Sequence, residues 1–260
     1  MDSIPKVVVG GFETTRLSRA GLCEVMRHDC LAARRGERPP RVVVDLNGHG
    51  LAMARWQPAF RQALEAADII HADGQAAVMA SRLLTSTPIA GRSATTDLFH
   101  DAAAVAAEAG LGFFLLGATE EVNERCAAEM QRRHPGLRIA GRRHGYFDEP
   151  EEPAICEAIN RTGADIIWVG LGKPKEHLFS IRNRDRLKAG WVVTCGGCFN
   201  YVTETYGRAP GWMQAAGFEW LYRVLADPRR FGWRYLTTNP VAMFLLLTRT
   251  RRVAPAESGA

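Results

Sequence analysis

The stretch Gly112-Phe113-Phe114-Leu115-Leu116-Gly117-Ala118-Thr119-Glu120-Glu121-Val122 decides the fold. An apolar run of strand length stops at Gly117, and a segment of helical periodicity begins just beyond it and continues to residue 133. Thr119 is suited to cap that helix. Its hydroxyl can accept from a free amide of the first turn, and the two glutamates that follow favour the positive helix end. The same unit recurs outward in both directions. Strand-like runs closed by Gly, Asp or Asn occupy residues 6–10, 41–45, 69–74, 165–170 and 191–195, and helical segments occupy 51–66 and 175–189. Strands alternating with helices indicate βαβ units around a mainly parallel sheet.

The expected fold class is therefore α/β. Two Rossmann-like halves, 1–110 and 111–206, are expected around mainly parallel sheets. A basic amphipathic helical segment (207–252) would face a membrane, and a disordered tail would cover 253–260. With 260 residues, 47% hydrophobic and 23% charged, the chain can bury a sizeable core. Its first residues lack the charged and apolar segments of a secretory signal, and its six cysteines are irregularly spaced. Both features point to reduced thiols in the cytoplasm.

In such sheets ligands bind beyond the carboxyl ends of the strands, so the residues found there are the first candidates. Gly170-Leu171-Gly172-Lys173-Pro174-Lys175 joins a strand to a helix. Its glycines would let a pyrophosphate approach the backbone, with helix amides and Lys173 and Lys175 adding positive charge. An ordinary glycine-rich turn reads the same way. Gly117, Gly196 and Gly197 also follow strands and join the nucleotide-binding candidates. Cys195-Gly196-Gly197-Cys198 has the spacing of a redox pair or half a zinc site, but no second pair completes a zinc site, which favours buried thiols. Asp73 is either a general base or part of an Asp-Gly turn. Asn47, Arg92 and Asp97 are open in the same way; Arg92 could grip a phosphate or pair on the surface. There is no Asp-x-Asp pair and no helical pair of histidines, so neither a metal nor another cofactor is expected.

Charge is uneven along the chain. Residues 208–252 carry eight arginines against Glu219 and Asp227, while the remainder carries 25 basic and 26 acidic residues. The arginines are interleaved with Trp212, Trp220, Tyr222, Phe231, Trp233 and Tyr235, as suits an amphipathic segment lying on an anionic membrane. A single-stranded nucleic acid or a solvated helical face would also fit. The apolar run 241–247 is far short of the ~20 residues that span a bilayer.

Several of these segments together resemble the WecG/TagA/CpsF glycosyltransferase family, including its GumM-like members, over about residues 7–247. Residues 67–74, Ala-Asp-Ile-Ile-His-Ala-Asp-Gly, resemble the family segment whose second aspartate is the proposed base, here Asp73. Gly145-Tyr146-Phe147 and residues 165–175 match two further motifs. Arg208-Ala209-Pro210, Trp212-Met213, Glu219-Trp220-Leu221-Tyr222-Arg223, Pro228-Arg229-Arg230 and Arg234-Tyr235 follow the family's tail almost position by position.

The resemblance implies an inverting hexosyltransferase of bacterial surface-polysaccharide synthesis. It would carry a sugar from a UDP-sugar donor to a polyprenyl-diphosphate-linked glycan acceptor at the inner face of the plasma membrane. No nucleic acid is implied, and a homo-oligomer is left open. Asp73 would take the acceptor's proton, Asn47 would position sugar hydroxyls, and Arg92, Arg208, Arg223, Arg230 and Arg234 would hold diphosphate near the membrane. Asp45, Asp97 and Glu176 join the substrate-binding candidates.

The chain also departs from the pattern. Asp45-Leu46-Asn47 replaces Thr-Pro-Asn, Glu176-His177 replaces Gln-Glu, and Thr95-Thr96-Asp97 replaces Gly-Ser-Asp. The acids at 45 and 176 are expected to reshape donor choice and to repel a uronate. A weakened member is one alternative, and a nucleotide-dependent enzyme of another class is a second. Against a dehydrogenase stands the lack of a complete GxGxxG after any strand.

Overall fold

The computed structural model describes residues 4–253. The chain opens with an antiparallel hairpin, β1 (Lys6–Val9) and β2 (Phe12–Thr15), separate from the main sheet. Then follow α1 (Arg19–Arg34), β3 (Arg41–Leu46), α2 (Gly48–Trp56), α3 (Pro58–Glu65), β4 (Ile69–Ala72), α4 (Gln75–Leu84) and α5 (Thr95–Ala109). The middle of the chain forms β5 (Gly112–Gly117), α6 (Glu120–Arg133), β6 (Arg138–Arg143), α7 (Glu152–Arg161), β7 (Ile166–Gly170), α8 (Lys175–Arg182) and β8 (Trp191–Thr194). It closes with four helices, α9 (Cys198–Val202), α10 (Gly211–Ala215), α11 (Glu219–Ala226) and α12 (Pro228–Thr248).

Strands β3 to β8 form one parallel sheet in the order β4-β3-β8-β7-β5-β6. Halves with their own sheets were expected, but β8 pairs with β3 on one side and β7 on the other and so joins them. Trp191, Val192 and Val193 are all buried, as a strand covered on both faces requires. Alternate residues serve opposite layers. Val43, Phe113, Trp168 and Val193 pack with α1, α5 and α6, whereas Val42, Val44, Ile167 and Val192 face the layer that includes α2, α3, α7 and α8.

Thr119 caps α6 through Val122 N at 3.3 Å, as its sequence position predicts. The helix expected over 51–66 is two helices, because Pro58 cannot continue α2 and instead starts α3. β6 carries no apolar run. It is an edge strand paired only with β5, and five of its six residues are half-buried.

The C-terminal segment ends inside the fold. Ala242, Leu245 and Leu246 of α12 are buried in the core formed with α2 and α3, while Met243, Phe244 and Leu247 face outward. Beyond the helix, Arg249 O accepts from Gly11 N at 2.9 Å, and Arg251 bridges to Val8. No described helix is long and apolar enough to cross a membrane. From Ala254 onward, the tail expected to be disordered lies outside the described residues, as does the side chain of Arg230.

A buried acid fixes α1 to the sheet. Asp29 is fully enclosed, accepts from Trp191 Nε1 at 2.9 Å and pairs with Arg38 and Arg41. Asp29→Ala would strand the indole N–H and two guanidiniums at the start of β3 and β8. It is expected to cost about 3–5 kcal/mol in urea denaturation, with a smaller loss for Asp29→Asn. A change below 1 kcal/mol for the alanine variant would refute this anchoring role.

Candidate active site

The carboxyl ends of β3, β4, β7 and β8 bring together residues that lie far apart in the chain. Asp45 is the penultimate residue of β3, Asn47 caps α2, and Asp73 follows β4. One side-chain amide connects them: Asn47 Nδ2 donates to Asp45 Oδ2 at 2.9 Å and to Asp73 Oδ2 at 3.2 Å. Asn47 Oδ1 accepts from Gly50 N at 3.0 Å, which fixes the direction of the amide. The other oxygen of Asp73, Oδ1, accepts from Thr95 N at 2.9 Å and Thr95 Oγ1 at 3.3 Å, at the start of α5. Asp73 is half-buried, with both carboxylate oxygens oriented, a geometry suited to accepting a proton from a bound alcohol.

Behind this line lies a buried charged cluster. Lys173 Nζ reaches both oxygens of Asp45, at 2.6 and 2.5 Å. Glu176 is fully enclosed, and its Oε2 accepts from Gly172 N at 3.0 Å and Gly196 N at 2.9 Å, joining the turn after β7 to the turn after β8. Burial raises the Glu176 carboxyl to about 7, Lys173 works against that rise, and Asp45 adds to it. Burial also opposes the charge on Lys173, but Asp45 and Glu176 outweigh it and hold the ammonium above its ordinary value. His177 is equally enclosed, and burial drives its imidazole well below the ordinary range.

Two glycines are needed at this edge by geometry. A Cβ on Gly117 would lie 2.2 Å from Gly170 O, so the tips of β5 and β7 can approach only without one. Gly196 has φ +52°, which turns its amide toward Glu176 at little steric cost.

The candidate residues divide into two groups. Asp45, Asn47, Asp73, Lys173, Glu176, Gly172 and Gly196 converge in one connected network. Glu176 has no exposed face, and Asp45 is matched by Lys173, so the expected repulsion of a uronate has no uncovered carboxylate behind it. Lys175 turns away. Its Nζ donates to Phe147 O at 2.7 Å and lies 4.4 Å from the Phe147 ring, fastening the Gly-Tyr-Phe turn. Gly170 lines the strand tip beside Cys195, and Gly197 begins α9. All six cysteines are unpaired and buried. Burial pushes the Cys195 and Cys198 thiols far up, which disfavours the reactive thiolate.

The arginines border the network. Arg92 Nε donates to Asp73 O at 2.7 Å, and its NH2 group reaches Glu219 Oε2 at 2.6 Å. Arg223 donates to Glu219 Oε1 at 2.5 Å and lies over the Tyr201 ring. Burial would raise the Glu219 carboxyl, but Arg223 and Arg92 hold it below its ordinary value. Arg208 pairs with Asp97 at 2.5 Å, and Asp97 also meets Arg19 at 2.9 Å. Arg234 lies over Phe231 and Tyr235 and adds to the burial that holds His49 at about 4. Sequence reasoning missed Thr95, Glu219, Tyr201 and His177. Thr95, Glu219 and His177 lie in segments compared with the family's motifs, which was the available signal, whereas Tyr201 offered none.

The model of the WecG/TagA/CpsF glycosyltransferase family matches residues 7–255, which takes in the whole network and the helices that border it. This chain belongs to the WecG/TagA/CpsF family of glycosyltransferases, which act in polysaccharide synthesis.

Proposed function

We propose that this chain is an inverting glycosyltransferase that moves a sugar from a UDP-sugar to a polyprenyl-diphosphate-linked acceptor. The observation that carries the reading is the single, doubly oriented carboxylate of Asp73 at the sheet edge, with Arg92 bound to its backbone carbonyl. Inversion needs one in-line attack and hence one base. Asp73 takes the acceptor hydroxyl's proton as the oxygen bonds to the anomeric carbon, and the bond to UDP breaks with its electron pair leaving on the diphosphate. Asn47 holds the carboxylate and, with both amide hydrogens directed at Asp45 and Asp73, meets a sugar hydroxyl through the second lone pair of its Oδ1. The turns after β5, β7 and β8, with Gly117, Gly170, Gly172, Gly196 and Gly197, border the place for the nucleotide, where Lys173 supplies positive charge.

Arg92 and Arg223, with Arg208 and Arg234 nearby, suit the acceptor's diphosphate. Each guanidinium has five donors and uses only some of them on Glu219, Asp97 or neighbouring groups. Trp212 on α10 and Trp233, Leu236 and Phe244 on α12, the helix that carries Arg234, are all more than 60% exposed. That surface favours peripheral contact with an anionic bilayer at the cytoplasmic face.

Two measurements test this reading. With UDP-sugars and a polyprenyl-diphosphate-sugar acceptor, Asp73→Asn is expected to bind UDP normally and lose transfer by about 100-fold or more, the scale of a general base. Undiminished turnover would remove Asp73 from that role. Arg223→Ala is expected to raise the KM of the diphosphate acceptor about tenfold or more, as loss of a charged hydrogen bond does, while leaving the KM of an alkyl glycoside lacking phosphate unchanged. An equal effect on both acceptors would contradict diphosphate recognition by Arg223.

A further inference from the structure

We propose that Asp45, Glu176 and His177 form a divalent-cation site that this chain fills with its own Lys173 ammonium, and that this internal cation faces the donor's diphosphate. Its second half rests on the donor assigned above; its first half does not.

The geometry is that of a cation cage. Ligand-capable atoms of Asp45, Glu176 and His177 all lie within 4.8 Å of one another, and all three residues are buried. Two carboxylates and an imidazole suit Mn2+ or Zn2+. The cluster is also incompletely satisfied. Glu176 Oε1 and both ring nitrogens of His177 have no hydrogen-bond partner, although both residues are fully enclosed, and Glu176 Oε1 lies 3.7 Å from His177 Nδ1. Buried polar atoms left unmatched are costly, and a cation between them is the ligand that would match an oxygen and a nitrogen lone pair together.

The ammonium sits to one side of this space. Lys173 Nζ contacts both oxygens of Asp45 but remains 4.0 Å from Glu176 Oε1. A single positive charge thus stands against two carboxylates, whereas a divalent ion would balance both. Lys173 thus lies across the two carboxylates of the cluster, against Asp45 and short of Glu176. The cage lies at the tips of β3, β7 and β8, the edge where a diphosphate approaches an open parallel sheet. There a fixed positive charge can meet the leaving group without an ion having to bind first.

The test is to remove the ammonium and offer the metal. Purified wild type, Lys173→Met and Lys173→Met/Glu176→Gln are titrated with MnCl2 by electron paramagnetic resonance, and melting is followed with and without ZnCl2. Lys173→Met is expected to bind a single Mn2+ and melt higher with Zn2+; wild type and the double variant are expected to do neither. Lys173→Gln, which keeps a polar contact for Asp45, provides the same measurement if the methionine variant does not fold. Saturable Mn2+ binding by wild type as tight as that of Lys173→Met, or none by either single variant, overturns the cage. In a parallel arm without acceptor, UDP affinity is expected to fall about tenfold in Lys173→Met and to recover with Mn2+. Metal binding without that recovery, in a protein whose wild type binds UDP, overturns the role toward diphosphate. A wild type that binds no UDP at all would instead count against the donor reading while leaving the metal result to stand.

Discussion

The upper edge of the sheet depends on the Asn47 side-chain amide. Asp45 and Asp73 come from neighbouring parallel strands, and two carboxylates brought this close repel one another unless a donor lies between them. Asn47 is that donor to both acids, and its carbonyl is occupied by Gly50 N, so the amide cannot rotate without losing the α2 cap. An aspartate here would add a third acid and remove the donor, and an apolar residue would leave the two acids facing each other. The Asp73 carboxylate is thus aimed by a hydrogen-bond line that runs from Lys173 through Asp45 and Asn47 to Asp73 and the start of α5.

That line exists because of where β8 lies. Had each half kept its own sheet, Lys173 after β7 and Asp45 on β3 would belong to different layers. β8 lies between β3 and β7, so their tips are two strands apart in one sheet, a distance a lysine side chain can cross. The same insertion brings the turn after β8 against Glu176, whose single oxygen ties two backbone turns together. The strand tips are therefore cross-linked on the side proposed for the nucleotide. The side proposed for the acceptor is bordered instead by half-buried ion pairs, which solvent and salt can reach.

What could be read in the sequence follows from what each element must bury. Strands covered on both faces, such as β5 and β7, are continuous apolar runs, and their tips revealed Asp45, Asn47, Asp73 and the glycine turns. β6 has an open edge and needs no such run, so arginines conceal it. The joining of the halves was illegible for a different reason: a buried strand has the same composition whichever neighbours it takes, and the partners of β8 depend on long-range packing. The directions of Lys173 and Lys175, two residues apart, were equally hidden. One enters the acidic cluster and the other fastens the Gly-Tyr-Phe turn, and nothing in their spacing distinguishes them.

The basic tail shows how composition and structure divide an argument. Eight arginines against two acids suggest a surface waiting for an anionic partner, but the fold places acids opposite Arg208 and Arg223. Glu219 lies between Arg92 and Arg223, and Asp97 between Arg19 and Arg208. These acids keep like-charged guanidiniums close together when no anion is bound. Arg92 and Arg223 are thereby gathered at Glu219, at the rim of the site beside the carbonyl of Asp73. The end of α12 is held by burial of Ala242, Leu245 and Leu246, so the arginines before it are carried on a segment fixed to the core at its far end. A phosphate group entering this rim would find its donors already assembled, and would have to share them with Glu219 or displace it.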